Sequence, residues 1–411
     1  MAVPLSFVSG VMLARFMGSE NYGLYGLLLS IATVCCSGVV RSISVLLVRE
    51  LAGAMALKKN AHMLGIVAMI TILVIIVVSL AAVLISALPV FNIVTPKNLL
   101  MIIGLMLTLS MIGSLLRGLK YTASGLFVEQ AARPLFLILA LIYIVGSDWK
   151  EVAISFEQGA DILVVSLACA IVLGGLILVK AWPAGLFKNS LAIDRAWIIK
   201  SLPLLLMLGY SQGLIVQLPI LMMGSMFDPV VIGNFRVADA VAGLISLTLI
   251  ATNVALGPRI AALNASGDMQ GFEHLLRVAA SVIFCIAIPM TLIFLFFGAS
   301  LIPLIFGEEY MRAVGYLPVL CLAQVINSFC GPVMLALNML GEEKENIKAI
   351  MFSLILTLGF GWLLVDSYGG LGAAWAKMAG LAGWNFYLVW ALYKKKNILC
   401  LPYVWKKNVF K

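Results

Sequence analysis

Charge is what this sequence has least of. Asp, Glu, Lys and Arg make up 11% of its 411 residues, against roughly 25% in an average soluble domain. Histidine is scarcer still: His62 and His274 are the two present, and they do not form a zinc-type pair. The seven cysteines include no Cys-x2-Cys, and most lie inside apolar runs, so they read as small buried hydrophobes and not as metal ligands or a disulfide framework. Gly113-x4-Gly118 continues as Leu119-Lys120 and so lacks the Gly-Lys-Ser/Thr that cradles nucleotide phosphates. Residues 1–14 carry no basic flank and no cleavage site leading into a soluble domain, which disfavours a signal peptide. These gaps argue against a soluble enzyme and a metal site, and they disfavour an ATP-driven pump unless a separate subunit supplies the ATPase. No cofactor is expected, and the chain is not read as an enzyme.

Apolar residues fill the space instead, at 63% or about 259 side chains. Twelve spans of about 20 residues would need roughly 240. Nearly uncharged runs occur at about 1–14, 24–48, 64–88, 98–116, 122–147, 159–180, 201–223, 232–256, 278–297, 314–338, 349–365 and 371–393. Their length and lack of strict alternation predict helices and not barrel strands. Pro203, Pro219, Pro289, Pro318 and Pro332 fall inside them, as transporter helices tolerate where neighbours or cavity water satisfy the backbone. The expected fold is an all-α polytopic membrane protein of about 12 transmembrane helices.

The net charge of +9 fits the basic-inside bias of membrane loops, and no nucleic-acid partner is inferred from it. With the N-terminus placed in the cytoplasm, 20 of the 27 basic residues fall in cytoplasmic segments. Arg15, Lys97, Lys150 and Arg312 fall outside, and Arg41, Arg236 and Lys377 lie within spans. Both termini are therefore expected in the cytoplasm. The connections are mostly about ten residues long, too short for a separate soluble domain.

An internal repeat is visible at an offset of 210 residues. Tyr22-Gly23-Leu24-Tyr25 matches Ile232-Gly233-Asn234-Phe235, and Arg49 falls on Arg259. Six crossings per half predict parallel repeats around a central cleft: a bundle over 1–200, and a second over 201–411 ending in a short basic cytoplasmic tail. The same offset puts the counterpart of span seven's start about ten residues before Met1, so span one is expected to be short at its N-terminus.

Charges within spans are the informative residues, because each costs a few kcal/mol or more to place there. Arg41 lies roughly 10 Å from the inner end of span two, and Lys377 about as far from the outer end of span twelve. For both, a water-filled cavity is favoured over a purely structural buried pair. Arg236 and Asp239, three apart at the start of span eight, are positioned to pair. Arg236 and Asp161 sit near enough to the interface to snorkel or cap as readily as to serve a site. Glu129 and Arg133, four apart, read as a helix-stabilising pair. The amides Gln212, Gln217, Asn253, Gln324, Asn327, Asn338 and Asn385 more often bond across helices than bind ligands, but with the cations they would line a cleft that accepts a sugar. Three bases against two acids favour an anionic substrate such as a phosphate-bearing lipid.

Leu13-Ala-Arg-Phe-Met-Gly-Ser-Glu-Asn-Tyr-Gly-Leu-Tyr-Gly-Leu27 resembles the opening signature of the O-antigen and polysaccharide repeat-unit flippases of the MOP (multidrug/oligosaccharidyl-lipid/polysaccharide) exporter superfamily. Phe306-Gly-Glu-Glu-Tyr310, Asn338-Met-Leu-Gly-Glu-Glu-Lys344 and Tyr368-Gly-Gly-Leu-Gly-Ala-Ala374 resemble later segments of the same family. The resemblance implies a bacterial inner-membrane flippase that carries undecaprenyl-diphosphate-linked oligosaccharide to the periplasmic leaflet by alternating access. It implies two six-helix bundles around a cationic cleft holding Arg41, with Lys377 and Arg236 as further candidates. Asp239 and Asp161 are candidates for ion coupling, and Gln217, Asn253, Gln324 and Asn327 for the polar lining. Partners would be the lipid-linked oligosaccharide, membrane lipids and, further along, a polysaccharide polymerase and a chain-length regulator. The alternatives are a cation-coupled multidrug exporter of the same superfamily and a membrane glycan polymerase or ligase. The short, sparsely basic outer segments disfavour the last.

Overall fold

A computed structural model describes residues 2–56, 96–146, 153–182, 195–224 and 226–403, with a few positions between 71 and 79. Most of the expected third span (64–88), Lys58, Lys59, Lys150, Lys188 and the tail beyond 403 lie outside the described residues, as do the side chains of Arg49, Lys97, Arg195 and Lys200.

Among the described residues every regular element is helical. The physical reason is that hydrocarbon offers the backbone no partners, so each N–H and C=O must be satisfied within its own helix. Nine of the described helices are long and apolar enough to cross a membrane. The first, α1 (Ala2–Ala56), runs for 55 residues, about 80 Å at 1.5 Å per residue and more than twice the hydrocarbon thickness. It breaks at Gly18, whose φ of 74° lies in the left-handed region that glycine enters without a Cβ penalty. Expected spans one and two are thus joined end to end, with the break between them. The expected twelfth span forms the 27-residue helix Gly370–Lys396. It is absent from the nine because Lys377, Asn385 and four glycines dilute its apolar run.

The chain divides into two compact units, Met1–Gln217 and Leu218–Lys411. The first contains α1, α2 (Pro96–Gly118), α3 (Thr122–Leu126), α4 (Arg133–Val145), α5 (Phe156–Ala181) and most of α6 (Arg195–Gly224). A π-helical stretch, Phe127–Ala132, joins α3 to α4. Leu28, Ile43, Leu46, Leu47, Leu51 and Leu99 are among the fully buried side chains of this unit. Asn21 ties two helices together: its amide nitrogen donates to the Met17 carbonyl, and its oxygen accepts the Phe156 N–H at 3.2 Å. A capping box of Ser155 and Gln158 closes the same start of α5.

The second unit contains α7 (Pro229–Gly243), α8 (Leu247–Ser266), α9 (Met269–Phe306), α10 (Ala313–Cys330), α11 (Val333–Met339), α12 (Glu343–Tyr368) and α13 (Gly370–Lys396). Asp228 caps α7 and Pro229 occupies its first turn, both favoured at that end. Fully buried Asn234 accepts the Ala313 N–H at 3.1 Å and so satisfies a donor at the start of α10. The repeat motifs behave alike, because Tyr22, Tyr25, Ile232 and Phe235 are all buried. Small residues bring α12 and α13 into close contact: a Cβ on Gly380 would strike the Thr357 hydroxyl, and Ser353 donates to the Gly380 carbonyl at 2.8 Å.

Beyond α13 the chain turns at Asn397 and tucks Ile398, Leu399, Cys400 and Leu401 into a core with Phe272, Leu276 and Leu392. The lysine-rich end of α13 is pinned by acids at the start of α12. Lys395 Nζ lies 2.6 Å from Glu342 and 3.0 Å from Glu345. Glu345, 3% exposed, also accepts from Lys348 and from the Tyr387 hydroxyl, each at 2.8 Å.

Hydrogen bonds from Lys395, and secondarily from Lys396, hold the Glu342 carboxyl below the usual carboxylate range. Such a group stabilises the fold above its ordinary value near about 4.3 and loses that contribution as pH falls through its lowered folded value. Acidifying the detergent-solubilised protein below about pH 4 should therefore lower its thermal midpoint. Glu342→Gln should flatten the decline. Superimposable pH profiles for the two proteins would refute this role.

Candidate functional site

A cavity of about 610 Å3 lies within the first unit. It lies between the second half of α1 and α6, and its walls follow from small residues. Gly209 and Gly213 on α6 form a Gly-x3-Gly pair, the spacing that lets membrane helices approach closely. A Cβ on Gly209 would come within 2.7 Å of Gly38 Cα, and one on Gly213 would strike the Ser37 side chain. Ser30 joins the same two helices by donating to Gln217 Oε1 at 2.9 Å. Where the helices part, Thr33, Ser37, Arg41, Ser44, Gln212 and Gln217 line the cavity, among apolar neighbours such as Val40 and Val216.

Arg41 is the one charged side chain among the described lining residues. Its Nη1 donates to Gln212 Oε1, a neutral amide that helps to aim the guanidinium. The cavity wall therefore carries a planar fork of donors, the geometry suited to carboxylate or phosphate oxygens. Ser44 connects this wall to a second arginine. Arg117 Nη2 donates to Ser44 at 2.8 Å and to Ser114 at 2.9 Å, and it pairs with Glu129 at 2.7 Å.

That last contact corrects the expected pairing of Glu129 with Arg133. Glu129 sits in the π-helical stretch Phe127–Ala132. The wider turn there rotates its side chain out of the i, i+4 register and toward α2. Arg117 is consequently a partly buried and neutralised group.

The second unit holds the other charged candidates. Lys377 on α13 lies 2.6 Å from Asp239 on α7, with side-chain exposures of 17% and 27%. Lys377 thus reaches the Asp239 carboxylate from another helix, a partner that the sequence did not suggest. Lys377 is then a member of a compensated pair and adds no net positive charge to a site. Arg236 is partly buried on the same helix as Asp239.

The remaining candidates separate. Asp161 is exposed and lines a different cavity of the first unit, about 490 Å3, with Tyr143 and Gln158. Asn253 and Asn327 line a cavity of about 210 Å3 in the second unit, beside Trp384 and Asn385. Gln324 is partly buried and borders none of these cavities. Of the residues that the sequence singled out, the structure brings Arg41, Gln212 and Gln217 to one cavity and disperses the others. Sequence reasoning missed Ser37, Ser44 and the glycine pair. The Gly209-x3-Gly213 spacing was the available signal for them.

The fold is shared with solved transporters. An inward-facing multidrug resistance MATE family transporter of the MOP superfamily superposes with a TM-score of 0.74 at 13% identity, over 96% of each chain. The lipid II flippase MurJ, in an inward closed conformation, gives 0.70 at 11% identity over 95% of this chain and 85% of that one. The MATE multidrug transporter DinF-BH gives 0.62 at 14% identity, covering 97% and 93%. No family model matches the sequence, and neither does any curated protein. At such identities the likeness establishes the all-helical, two-lobed fold of twelve crossings and nothing finer.

The glycine contacts make a direct prediction. Gly213→Val should overpack the α1–α6 contact and lower stability by about 1–3 kcal/mol, measurable as a reduced thermal midpoint in detergent. An unchanged midpoint would show that the two helices are not held as closely as described.

Proposed function

We propose that this chain is a flippase that moves an undecaprenyl-diphosphate-linked oligosaccharide, an O-antigen or similar surface-polysaccharide repeat unit, from the cytoplasmic to the periplasmic leaflet of a bacterial inner membrane. One observation carries the reading: the roughly 610 Å3 cavity within a membrane-spanning unit that is lined by Arg41 and by neutral hydroxyls and amides. Carrying a diphosphate and several sugars through about 30 Å of hydrocarbon unaided would cost tens of kcal/mol. A fixed guanidinium replaces part of the lost phosphate hydration, and the serines and glutamines offer hydrogen bonds to the adjoining sugar. The isoprenoid tail can stay in lipid throughout. No bond is made or broken, so no catalytic group is required. One of the solved neighbours is a lipid II flippase, and that supports a lipid-linked substrate on this fold.

In this reading both termini are cytoplasmic, the halves alternate access, and a polysaccharide polymerase and chain-length regulator use the product. The second reading is multidrug export, favoured by the neighbours that are multidrug transporters and by the Asp239–Lys377 pair, whose carboxylate could couple a cation. It predicts that Asp239→Asn changes drug tolerance and leaves surface glycan intact.

The decisive test is Arg41→Ala in the native host. Surface glycan should fall at least about tenfold, matching the loss of a charge-assisted contact worth roughly 1.5–3 kcal/mol, while lipid-linked repeat units accumulate on the inner leaflet and membrane insertion stays normal. Full surface glycan at normal expression would overturn the reading.

A further inference from the structure

The second unit contains a cavity of a different chemical kind. Its volume is about 210 Å3, and Asn253, Asn327, Asn385 and Trp384 line it with Leu249, Leu381 and Leu388. No described lining residue carries a charge. The cavity adjoins an interruption of the backbone. α10 ends at Cys330, Gly331 takes a φ of +65°, and Pro332 precedes α11. Both Gly331 and Pro332 form part of the wall. Within a long apolar stretch such a break is tolerated where it is buried in protein or borders a polar cavity, and transporters bind ligands at breaks of this kind.

The polar atoms of the wall are incompletely used. Asn385 donates to Asn327 Oδ1 at 3.0 Å and to the Leu381 carbonyl at 2.9 Å. Asn253 Oδ1 and Trp384 Nε1, by contrast, are buried with no hydrogen-bond partner among the described residues. Leaving a buried acceptor and a buried donor unmade costs about 1–3 kcal/mol each, so the pair is expected to meet a ligand or ordered water. Amides and an indole N–H, set among leucines, present both donors and acceptors beside apolar surface. That combination matches a neutral ring carrying hydroxyls on its edge and C–H groups on its face. The volume lies below the roughly 300–1,000 Å3 of sites for drug-sized ligands, which suits one ring and not a whole repeat unit.

We infer that this cavity is a binding subsite for one neutral sugar ring, with Asn253 accepting from and Trp384 donating to its hydroxyls. The identity of the occupant rests on the flippase reading, whereas the cavity and its unmet polar atoms do not.

The test uses the full chain purified in detergent and a panel of methyl glycosides of glucose, galactose, mannose, rhamnose and N-acetylglucosamine. Saturation-transfer NMR should detect saturable binding of at least one of them. Asn253→Leu and Trp384→Phe, the latter keeping an aromatic ring, should each weaken that binding by roughly three- to tenfold without lowering the thermal midpoint by a comparable amount. Neither should alter the binding of undecaprenyl diphosphate, which Arg41→Ala should weaken. Failure of the Arg41→Ala arm alone would strike the flippase reading and leave the subsite standing. Absence of glycoside binding, binding indifferent to both substitutions, or a response to sodium ions in place of sugars would overturn the subsite.

Discussion

A charge cannot sit in hydrocarbon without water or a compensating partner, and the polar architecture of this protein follows from that constraint. The structure meets it in three ways. Arg117 is matched by Glu129 and two serine hydroxyls. Lys377 is matched by Asp239 from another helix. Arg41 is set on the wall of a cavity, held by the neutral amide of Gln212. The first two arrangements join a cation to an acid, whereas the third sets it beside a cavity. A compensated pair adds rigidity and helix register. A guanidinium on a cavity wall presents its sign to an anion, and for this reason Arg41 outweighs the other span cations in the functional reading.

Presenting a charge requires space, and space within a helical bundle has to be built from backbone. Gly209 and Gly213 draw α6 against α1 and themselves border the cavity. At Gly331–Pro332 a helix stops and restarts beside a polar hollow. In both places residues with little or no side-chain chemistry decide where the chemistry can occur. Loss of packing there would disturb the sites without touching any polar group.

The spans, their helical state and Arg41 could all be read from the sequence, because hydropathy is summed over about 20 residues and a cation in an apolar run is conspicuous. The partners could not be read. Asp239 bonds to a lysine 138 residues later, a contact that no local spacing announces. Glu129 passes over Arg133 because a π-helical turn changes the local angular step. Local periodicity predicts neighbours on one helix and carries no information about which helix lies opposite. The cavities were hidden for the same reason. Gln212, Gln217 and Asn253 look alike as isolated amides in apolar runs, and packing alone assigns the first two to one cavity and the third to another.

The proposed substrate poses two separate solvation problems, and the two kinds of cavity answer them separately. A diphosphate loses mainly charge hydration, which fixed positive charge restores at long range and with loose geometry. A sugar loses directional hydrogen bonds, which amides and an indole replace only at close range. The driving force need not come from either. In the proposed orientation an inside-negative potential favours outward movement of an anion by about 2.3 kcal/mol per charge per 100 mV. The protein then has to lower the barrier without trapping the substrate, and one arginine supported by neutral amides suits that task better than a cluster of cations.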